Sequence, residues 1–381
     1  MAAGTYRGTA MAGRSVPLAR RQLLHEPLKL SLALIGTALA VALVALLLGL
    51  REGIGRQATL YEDNVPADLY VGTSDARSFA TPGTSALPVS MGPVLASLPG
   101  VEEAAPIVEG LSILPLHGHR IATLLVGSEP GRLGGPWRLH AGRAPRTESE
   151  IAIDRVLAGA HGLRVGGIVA VRDRRLRIVG LTDGTASWMT PLVFVTRQTA
   201  NLLQRQSDIA TFFLLRTANG RTAQVAREVR ARFPALLVVT RGQIAHQSRV
   251  LTTGAFNSTL GTMVLIALGV GTLVIGLSAY SFVSERRREY GALKAIGGRA
   301  GTLYRVVSVQ ALAIAAGGML AGIVVAQLAA WGIHAAWPKF LFVSLPSHYV
   351  LLVVATLVMG LIGALVPVRV LARLDPAEVF R

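Results

Sequence analysis

Four long runs of apolar residues, each free of Asp, Glu, Lys and Arg, divide the chain. They cover residues 30–50, 251–283, 306–330 and 349–368. A membrane-spanning helix needs about 20 predominantly apolar residues, and each run is long enough to supply them. The pattern therefore predicts four transmembrane helices, which we call spans one to four in chain order.

The first run has the length of a membrane anchor. The apolar region of a signal peptide is usually about 7–15 residues long and is followed by small residues at a cleavage site. Here the run is 21 residues long and is followed by Arg51 and Glu52. We therefore interpret span one as an uncleaved anchor.

Residues 51–250, between spans one and two, alternate short β-like segments with turn signals. The segments 107–116 and 119–126 predict a hairpin, whereas 222–233 has the apolar spacing of a helix. Such mixed patterning is typical of an α+β domain with local strand pairing. The expected fold class is an α-helical membrane protein with four transmembrane helices plus an α+β extracytoplasmic domain between helices one and two.

Two amphipathic segments border this domain. Glu52–Tyr61, the first stalk, follows span one, and Gln243–Phe256, the second stalk, precedes span two. We expect the two stalks to extend their spans as helices.

The positive charges of the short flanks predict the orientation of the spans. Residues 1–29, the loop 284–305 and the tail 369–381 together hold 14 Lys and Arg, whereas the short loop 331–348 holds one. Because short basic flanks stay in the cytoplasm, both termini are expected to be cytoplasmic and the protein to lie in the cell (inner) membrane. The rule does not apply to long loops, so the domain at 51–250 is expected on the outer side of the cell membrane.

The composition agrees with a membrane protein. Hydrophobic residues make up 51% of the chain, the mean hydropathy is +0.50, and 38 basic against 21 acidic residues give a net charge of +17. Basic flanks beside anionic lipid are expected of membrane proteins, so the charge indicates membrane lipid and not nucleic acid as the partner. The sequence has no cysteine, which excludes disulfides, iron–sulfur clusters and thiol nucleophiles.

Small residues recur at helical spacing in the later spans. Gly318 and Gly322 share a face of span three, and Gly360 and Ala364 form a similar small-residue face in span four. Such faces let helix backbones approach closely, so they favour a packed helix bundle. The alternative is that these glycines reflect only the high glycine content of the chain, 41 of 381 residues. The spans hold no charged residue, which argues against an ion or proton pathway.

The α+β domain offers little recognisable chemistry. His117 and His119 flank a glycine without a third ligand nearby, so a solvent-exposed turn is favoured over a metal site. A cluster of arginines is interpreted as a solvated turn rather than an anion site: Arg172, Arg174, Arg175 and Arg177. Three carboxylates are expected to be surface charges: Glu102, Glu103 and Glu109. No catalytic site and no metal site are expected.

The loop after span two begins with a basic amphipathic segment, residues 284–298. Tyr290, Leu293 and Ile296 lie near one face of the predicted helix, with charges on the other. The segment fits a helix on the inner membrane leaflet. It fits equally well a helix that docks in the groove of a soluble partner. The residues alone leave both interpretations open.

The same loop resembles the one that follows the second helix in permeases of the FtsX/MacB superfamily, the mechanotransmitting (type VII) ABC transporters. The matching residues are Glu285, Glu289, Tyr290, Gly291, Leu293, Lys294, Ala295, Ile296 and Gly297. Residues 374–378 are similar to the closing element of that family, and 98–106 with 126–127 resemble its extracytoplasmic domain. The spacing of one span before the domain and three after it also fits, and residues 67–69 are similar to the DevC-like exporters of the group.

The resemblance implies a non-catalytic permease that forms a homodimer and docks an ABC ATPase subunit. Its coupling helix would contact that ATPase through Glu285, Arg287, Glu289, Tyr290, Leu293, Lys294, Ile296 and Gly297. None of the three lysines follows a glycine, so the chain lacks the phosphate-cradling P-loop, and ATP and Mg²⁺ would be bound by the partner. Because only 29 residues precede span one, that partner is expected to be a separate polypeptide.

The function expected from this resemblance is export or extraction of an envelope substrate. The resemblance leaves open whether a membrane-fusion adaptor is recruited. An FtsX-like role, regulating a cell-wall hydrolase without transport, is the alternative. An ATPase-independent receptor is a third possibility. The sequence does not choose among substrate classes.

Overall fold

The computed structural model of the protein describes residues 27–76, 78–79, 85–116, 118–187, 189–285 and 300–372. The chain divides into two compact units. The helical unit contains the described residues of 1–50, 258–332 and 342–381, and the α+β domain contains those of 51–257 and 333–341.

The elements follow one another in this order: α1 (Pro27–Gln57), α2 (Leu60–Asn64), β1 (Leu69–Thr73), β2 (Leu87–Pro88), α3 (Met91–Ala96), β3 (Val101–Leu116), β4 (His119–Ser128), β5 (Leu139–Gly142), β6 (Glu150–Asp154), α4 (Arg155–Ala160), β7 (Ile168–Val171), β8 (Arg174–Thr182), β9 (Leu192–Thr196), α5 (Arg197–Gln204), β10 (Ile209–Ala210), β11 (Phe212–Thr217), α6 (Thr222–Arg232), β12 (Leu236–Thr240), α7 (Arg241–Glu285), α8 (Ala300–Ala336) and α9 (Pro346–Ala372).

Four helices of the described chain, α1, α7, α8 and α9, are long and apolar enough to cross a membrane. This confirms the predicted number of spanning helices and the position of an α+β domain between the first and second of them.

The helices are longer than the apolar runs that predicted them. The helix α8 begins at Ala300, inside the predicted loop 284–305, and continues to Ala336, inside the predicted loop 331–348. The helix α9 continues to Ala372, into the predicted tail. Hydropathy marks only the apolar part of a helix, whereas backbone hydrogen bonding continues through polar residues of good helix propensity. Pro346 is the first residue of α9, a position where its missing N–H is not needed.

The two stalks differ in continuity. The second stalk is the first part of α7, an uninterrupted helix of 45 residues. The first stalk is interrupted, because α1 ends at Gln57 and the short helix α2 begins only at Leu60.

The α+β domain is built on a ten-stranded mixed sheet in the order β12-β1-β11-β3-β4-β9-β6-β8-β5, with β7 paired to β8. The long strand β3 joins its two parts, since its first half pairs with β11 and its second half with β4. The predicted hairpin is confirmed: β3 and β4 are antiparallel, from Val108 opposite Gly127 to Leu116 opposite His119.

Alternate residues of the strands face two different cores. On β1, Tyr70 packs in a core with Phe194, Phe212 and Tyr61, while Leu69 packs on the other face against Leu95 and Val225 of the helices α3 and α6. Because the central strands are covered on both faces, a polar side chain in them is buried whichever way it points.

The α+β domain also takes in residues 333–341, part of the predicted loop 331–348. Gln57 donates from Nε2 to the carbonyl oxygen of Lys339 at 2.8 Å. A Cβ on Gly53 would lie 1.7 Å from the carbonyl oxygen of Leu341, so only glycine permits this approach. The contact joins segments about 280 residues apart, which a local sequence pattern does not reveal.

Candidate functional site

The predicted coupling segment lies almost entirely outside the described residues. This applies to Arg287, Glu289, Tyr290, Leu293, Lys294, Ile296 and Gly297. Glu285 is described and is the last residue of α7. The structure therefore locates the two helix ends between which the segment lies, Glu285 of α7 and Ala300 of α8.

Glu285 forms an ion pair with Lys29 in the first turn of α1. The two side chains are about equally exposed, at 42% and 41%. The pair joins α1 to the end of α7 while leaving both charges in reach of solvent or of another chain.

An apolar contact holds α7 to α8 beside this ion pair. Val283 and Val307 are fully buried against each other, with Tyr304 and Val368 packed around them. This cluster holds together the end of α7, the beginning of α8 and the end of α9.

The predicted packing residues of spans three and four lie against neighbouring helices. A Cβ on Gly318 would approach Thr37 of α1 to 2.5 Å, and one on Gly322 would approach the carbonyl oxygen of Ala38 to 2.6 Å. These distances are below any real Cβ contact, so α8 reaches α1 only because both positions are glycine.

Span four makes a looser contact with α8. A Cβ on Gly360 would lie 3.1 Å from Cδ2 of Leu312. Ala364 is 4% exposed and belongs to the core of the helical unit, with Ile275 of α7.

The two stalks are joined by polar contacts within the α+β domain. Arg249 of the second stalk donates from Nη2 to Oε2 of Glu52 at 2.5 Å. Arg51 donates from Nε to the side-chain oxygen of Asn257 at 2.9 Å. Because Glu52 also pairs with Arg56 of its own helix at 3.4 Å, its carboxylate is the centre of a small charged cluster.

Two of the buried carboxylates of the domain, Glu62 and Glu109, have a raised pKa. Glu62 of α2 accepts a hydrogen bond at Oε1 from Ser248 of α7 at 2.5 Å. Burial raises the pKa of Glu62 from 4.5 to about 7, against the opposing effect of the Ser248 hydrogen bond. Burial also raises the pKa of Glu109 well above its usual value, and the charge of Glu62 adds to this shift.

The expectation that Glu109 is a surface charge is wrong. Its side chain is 5% exposed, and within the described chain neither carboxylate oxygen has a hydrogen-bond partner. Glu109 lies in the part of β3 where every residue is buried. Of the other two carboxylates, Glu102 is exposed and Glu103 is half-buried, with an ion-pair contact to Arg132 at 3.5 Å.

The other polar clusters considered in the sequence show no built site. Among the described residues, no group of three or more His, Cys, Asp and Glu is placed to hold a metal ion. His117 lies outside the described residues, and His119 is exposed. The arginines Arg172, Arg174, Arg175 and Arg177 are exposed around the β7–β8 turn.

Comparisons with known proteins agree with this architecture. Residues 30–232 match the family of the MacB-like periplasmic core domain, and residues 261–376 match that of the FtsX-like permease C-terminal domain. The first match covers span one and the α+β domain as far as the end of α6, and the second covers the later part of α7 together with α8 and α9.

Curated relatives extend over nearly the whole chain. The uncharacterized ABC transporter permease Rv0072 of Mycobacterium tuberculosis (strain ATCC 25618 / H37Rv) is 28% identical over 360 residues, covering 92% of this chain and 95% of the relative. The uncharacterized ABC transporter permease Rv2563 of the same strain is 26% identical over 355 residues, with the same coverage of 92% and 95%. Among solved structures, the periplasmic region of MacB from Actinobacillus actinomycetemcomitans matches 48% of this chain and 94% of its own, at 13% identity and a TM-score of 0.36.

The two family matches and the four long apolar helices show that the chain is a multi-pass membrane protein that belongs to the FtsX/MacB superfamily of ABC transporter permeases.

Proposed function

We propose that this permease couples ATP hydrolysis by a separate ATPase subunit to movement of its α+β domain, for export or extraction of an envelope substrate. One observation supports the proposal above all. The helix α7 is uninterrupted from Arg241 to Glu285, with the predicted coupling segment directly after its last residue and the second stalk at its beginning. A helix without a break transmits a push along its axis, because no kink absorbs the displacement.

The contacts at each end of α7 fit this role. The pair Glu285–Lys29 and the packing of Val283 on Val307 fix the helix beside the coupling segment. The pair Glu52–Arg249 makes the two stalks respond together within the α+β domain. ATP hydrolysis is assigned to the partner, since the chain has no P-loop of its own.

The arrangement in the membrane is part of the proposal. Both termini and the coupling segment lie in the cytoplasm, where an ATPase subunit has access to ATP, and the α+β domain lies outside the cell membrane. We further propose a homodimer, so that two coupling segments meet two ATPase subunits. Fusing a reporter that is active only in the cytoplasm to the C-terminus tests the orientation, and an inactive fusion would contradict it.

Copurification tests the ATPase partnership. The full-length permease is purified in mild detergent from its native host, and stoichiometric partners are identified. We expect one ATPase chain per permease, lost when Leu293 and Ile296 are both changed to Asp. The matched control changes Val165 and Ile168 to Asp, because these side chains are exposed apolar residues of the α+β domain, at 44% and 63%.

Two results would contradict the proposal. One is the absence of any ATPase even with nucleotide trapped, and the other is full retention of the ATPase by the Leu293→Asp/Ile296→Asp variant. Copurification of a cell-wall hydrolase with the ATPase would instead establish the regulatory role.

A further inference from the structure

The α+β domain has an open apolar cleft of about 460 Å³ beside the two stalks. This volume lies within the range of about 300–1,000 Å³ that is usual for small-molecule sites. The floor of the cleft is the closed core of the domain, where Tyr61, Phe79 and Leu124 are buried against their neighbours. A ligand therefore meets the side walls of the cleft, whose side chains are open.

Three large apolar side chains of these walls are exposed. Leu111 of β3 is 49% exposed, Met189 of the loop before β9 is 48% exposed, and Leu251 of the second stalk is 48% exposed. They come from three distant parts of the chain and converge on one cleft. Exposed apolar surface that converges in this way marks a site for a ligand, a partner or a membrane.

The open part of the walls is uncharged. Glu62 is the single charged residue among the described residues that line the cleft, and its side chain is fully buried. The other polar side chains of the described walls carry no charge: Gln57, Ser187, Thr190 and Thr252. These walls therefore bind a ligand through apolar contact, which favours a hydrocarbon over an ion.

The position of the cleft along the stalks places it next to the membrane. The apolar run of span one ends at Leu50, and the adjacent Arg51 donates from Nε to the side-chain oxygen of Asn257 in α7 at 2.9 Å. Ile54 of the cleft wall follows Arg51 by three residues, a rise of about 5 Å on a helix. Leu251 precedes Asn257 by six residues, a rise of about 9 Å. Because a headgroup layer is about 5–7 Å thick, the cleft begins at the level of the lipid headgroups.

The apolar run of α7 is also longer than the bilayer requires. It covers residues 251–283, or about 50 Å of helix, against about 30 Å for the hydrocarbon core. Its first residues, among them Leu251 and Phe256, line the cleft. The same helix therefore presents apolar side chains to the bilayer and to the cleft.

We propose that this cleft binds one hydrocarbon chain of a lipid that enters from the membrane leaflet adjoining the α+β domain. Leu111, Met189 and Leu251 contact the chain, and the headgroup stays at the membrane surface. The inference deepens the proposed function by naming a lipid as the class of substrate, and it rests on that function only for the claim that the lipid is transported. Binding itself requires neither nucleotide nor ATPase.

Quenching of a fluorescent label by nitroxide lipids tests the inference. Because the chain has no cysteine, Leu111→Cys gives one labelling site in the cleft wall of the full-length permease in phosphatidylcholine nanodiscs. One preparation contains a phosphatidylcholine with a nitroxide at the end of an acyl chain, and another contains one with a nitroxide on the headgroup. Chain ends in the bilayer lie about 15 Å below the headgroups, so a chain in the cleft is what brings its nitroxide to the label.

We expect the chain-end nitroxide to shorten the fluorescence lifetime of the label at Leu111→Cys. The matched control is a label at Arg56→Cys, because Arg56 is 51% exposed and lies two residues beyond Ile54 on the same helix but outside the cleft wall. That label should be quenched by the headgroup nitroxide and not by the chain-end nitroxide. Labelling at Met189→Cys repeats the test from another wall of the cleft.

A pair of charge substitutions tests the apolar contact itself. Leu251→Asp places a carboxylate in the cleft wall and should lower the rate of chain-end quenching about 10-fold, because a charge facing hydrocarbon is strongly unfavourable. Val250→Asp adds the same charge at the neighbouring side chain, which is 52% exposed and lies outside the cleft wall, and should leave quenching unchanged.

Two results would overturn the inference: chain-end quenching no greater at Leu111→Cys than at Arg56→Cys, or an equal effect of Leu251→Asp and Val250→Asp. If a second permease covers the cleft instead, the label at Leu111→Cys escapes quenching, and oxidation links two Leu111→Cys permeases through a disulfide. No ATPase is present in these measurements, so their failure is distinguishable from a failure of the coupling test.

Discussion

Arg249 and Glu52 join the two stalks through a hydrogen-bonded ion pair of 2.5 Å. Glu52 is 12% exposed and Arg249 is 42% exposed, so the pair is only partly screened by water. In the proposed mechanism this contact makes the two stalks move as one body.

Breaking this pair should loosen the stalks. We expect Arg249→Ala to lower the free energy of unfolding by about 1 kcal/mol, the upper range for a partly exposed ion pair. Reversible chemical denaturation in mild detergent measures this change. The control is Arg56→Ala, which removes the weaker contact of Glu52 within the same helix, at 3.4 Å, and should cost less. An effect of Arg249→Ala no larger than that of Arg56→Ala would show that the pair does not stabilise the stalks.

Glycine at 322 should be required for the packing of α8 on α1. A Cβ there would lie 2.6 Å from the carbonyl oxygen of Ala38, which is backbone and cannot move alone. We expect Gly322→Ala to destabilise the protein by about 1–3 kcal/mol, the usual cost of overpacking. Thermal unfolding in detergent provides the measurement.

The matched control for this prediction is Gly332→Ala on the same helix. A Cβ at Gly332 meets nothing within 4 Å in the described structure. The substitution should be neutral or stabilising, because alanine favours helix more than glycine does. Equal destabilisation by both variants would contradict the packing assigned to Gly322.

The ion pair of Lys29 with Glu285 should position the end of α7. If pairing is what matters, Lys29→Glu and Glu285→Lys should each reduce stimulation of the partner's ATP hydrolysis, and the double exchange should restore it. The measurement is the ATPase rate of the reconstituted complex. If the Glu285 carboxylate instead contacts the ATPase directly, the double exchange will remain uncoupled.

The buried carboxylates should make stability depend on pH. The pKa of Glu62 is higher in the folded protein, at about 7, than its ordinary value of 4.5, so the folded state binds the proton more tightly. Its stabilising contribution is complete below pH 4.5 and is lost as the pH rises toward 7, in total about 3 kcal/mol. Glu109 adds a loss of the same sign as the pH rises, because burial raises its pKa well above the usual value.

Neutral replacements should remove this dependence. Between pH 5 and pH 8, we expect Glu62→Gln and Glu109→Gln to flatten the decline in melting temperature, with a gain in stability for Glu109→Gln at pH 8. Glu148→Gln, which changes an exposed carboxylate of the same domain, is the control and should leave the profile unaltered. A profile that Glu109→Gln does not flatten would show that this carboxyl group is already ionised in the folded protein, without a raised pKa.

The sequence predicted the spanning helices and the hairpin well because both depend on local pattern. The runs at 30–50 and 349–368 are apolar enough to identify spans without knowledge of their neighbours. The packing partners of Gly318 and Gly322 were not predictable, since a small-residue face does not specify which helix it meets. The structure shows that both glycines lie against α1.

The buried carboxylates were missed for a related reason. A carboxylate among strand residues predicts an exposed face, but the middle of β3 is covered on both sides, so Glu109 is buried regardless of strand alternation. Glu62 follows Tyr61 at the end of the first stalk, and nothing in its neighbours along the chain indicates that distant residues such as Ser248 of α7 bury it.

The central claim is that ATP hydrolysis moves the α+β domain through the coupling segment. Because the chain has no cysteine, a single Ile168→Cys substitution on β7, at a side chain that is 63% exposed, gives one spin-label site per permease. Pulsed electron paramagnetic resonance then measures the distance between the labels of the two permeases in the assembled complex. We expect this distance to differ between the nucleotide-free and vanadate-trapped states, and the difference to vanish in the Leu293→Asp/Ile296→Asp variant. Identical distance distributions in both states of an assembled complex that actively hydrolyses ATP would contradict the account.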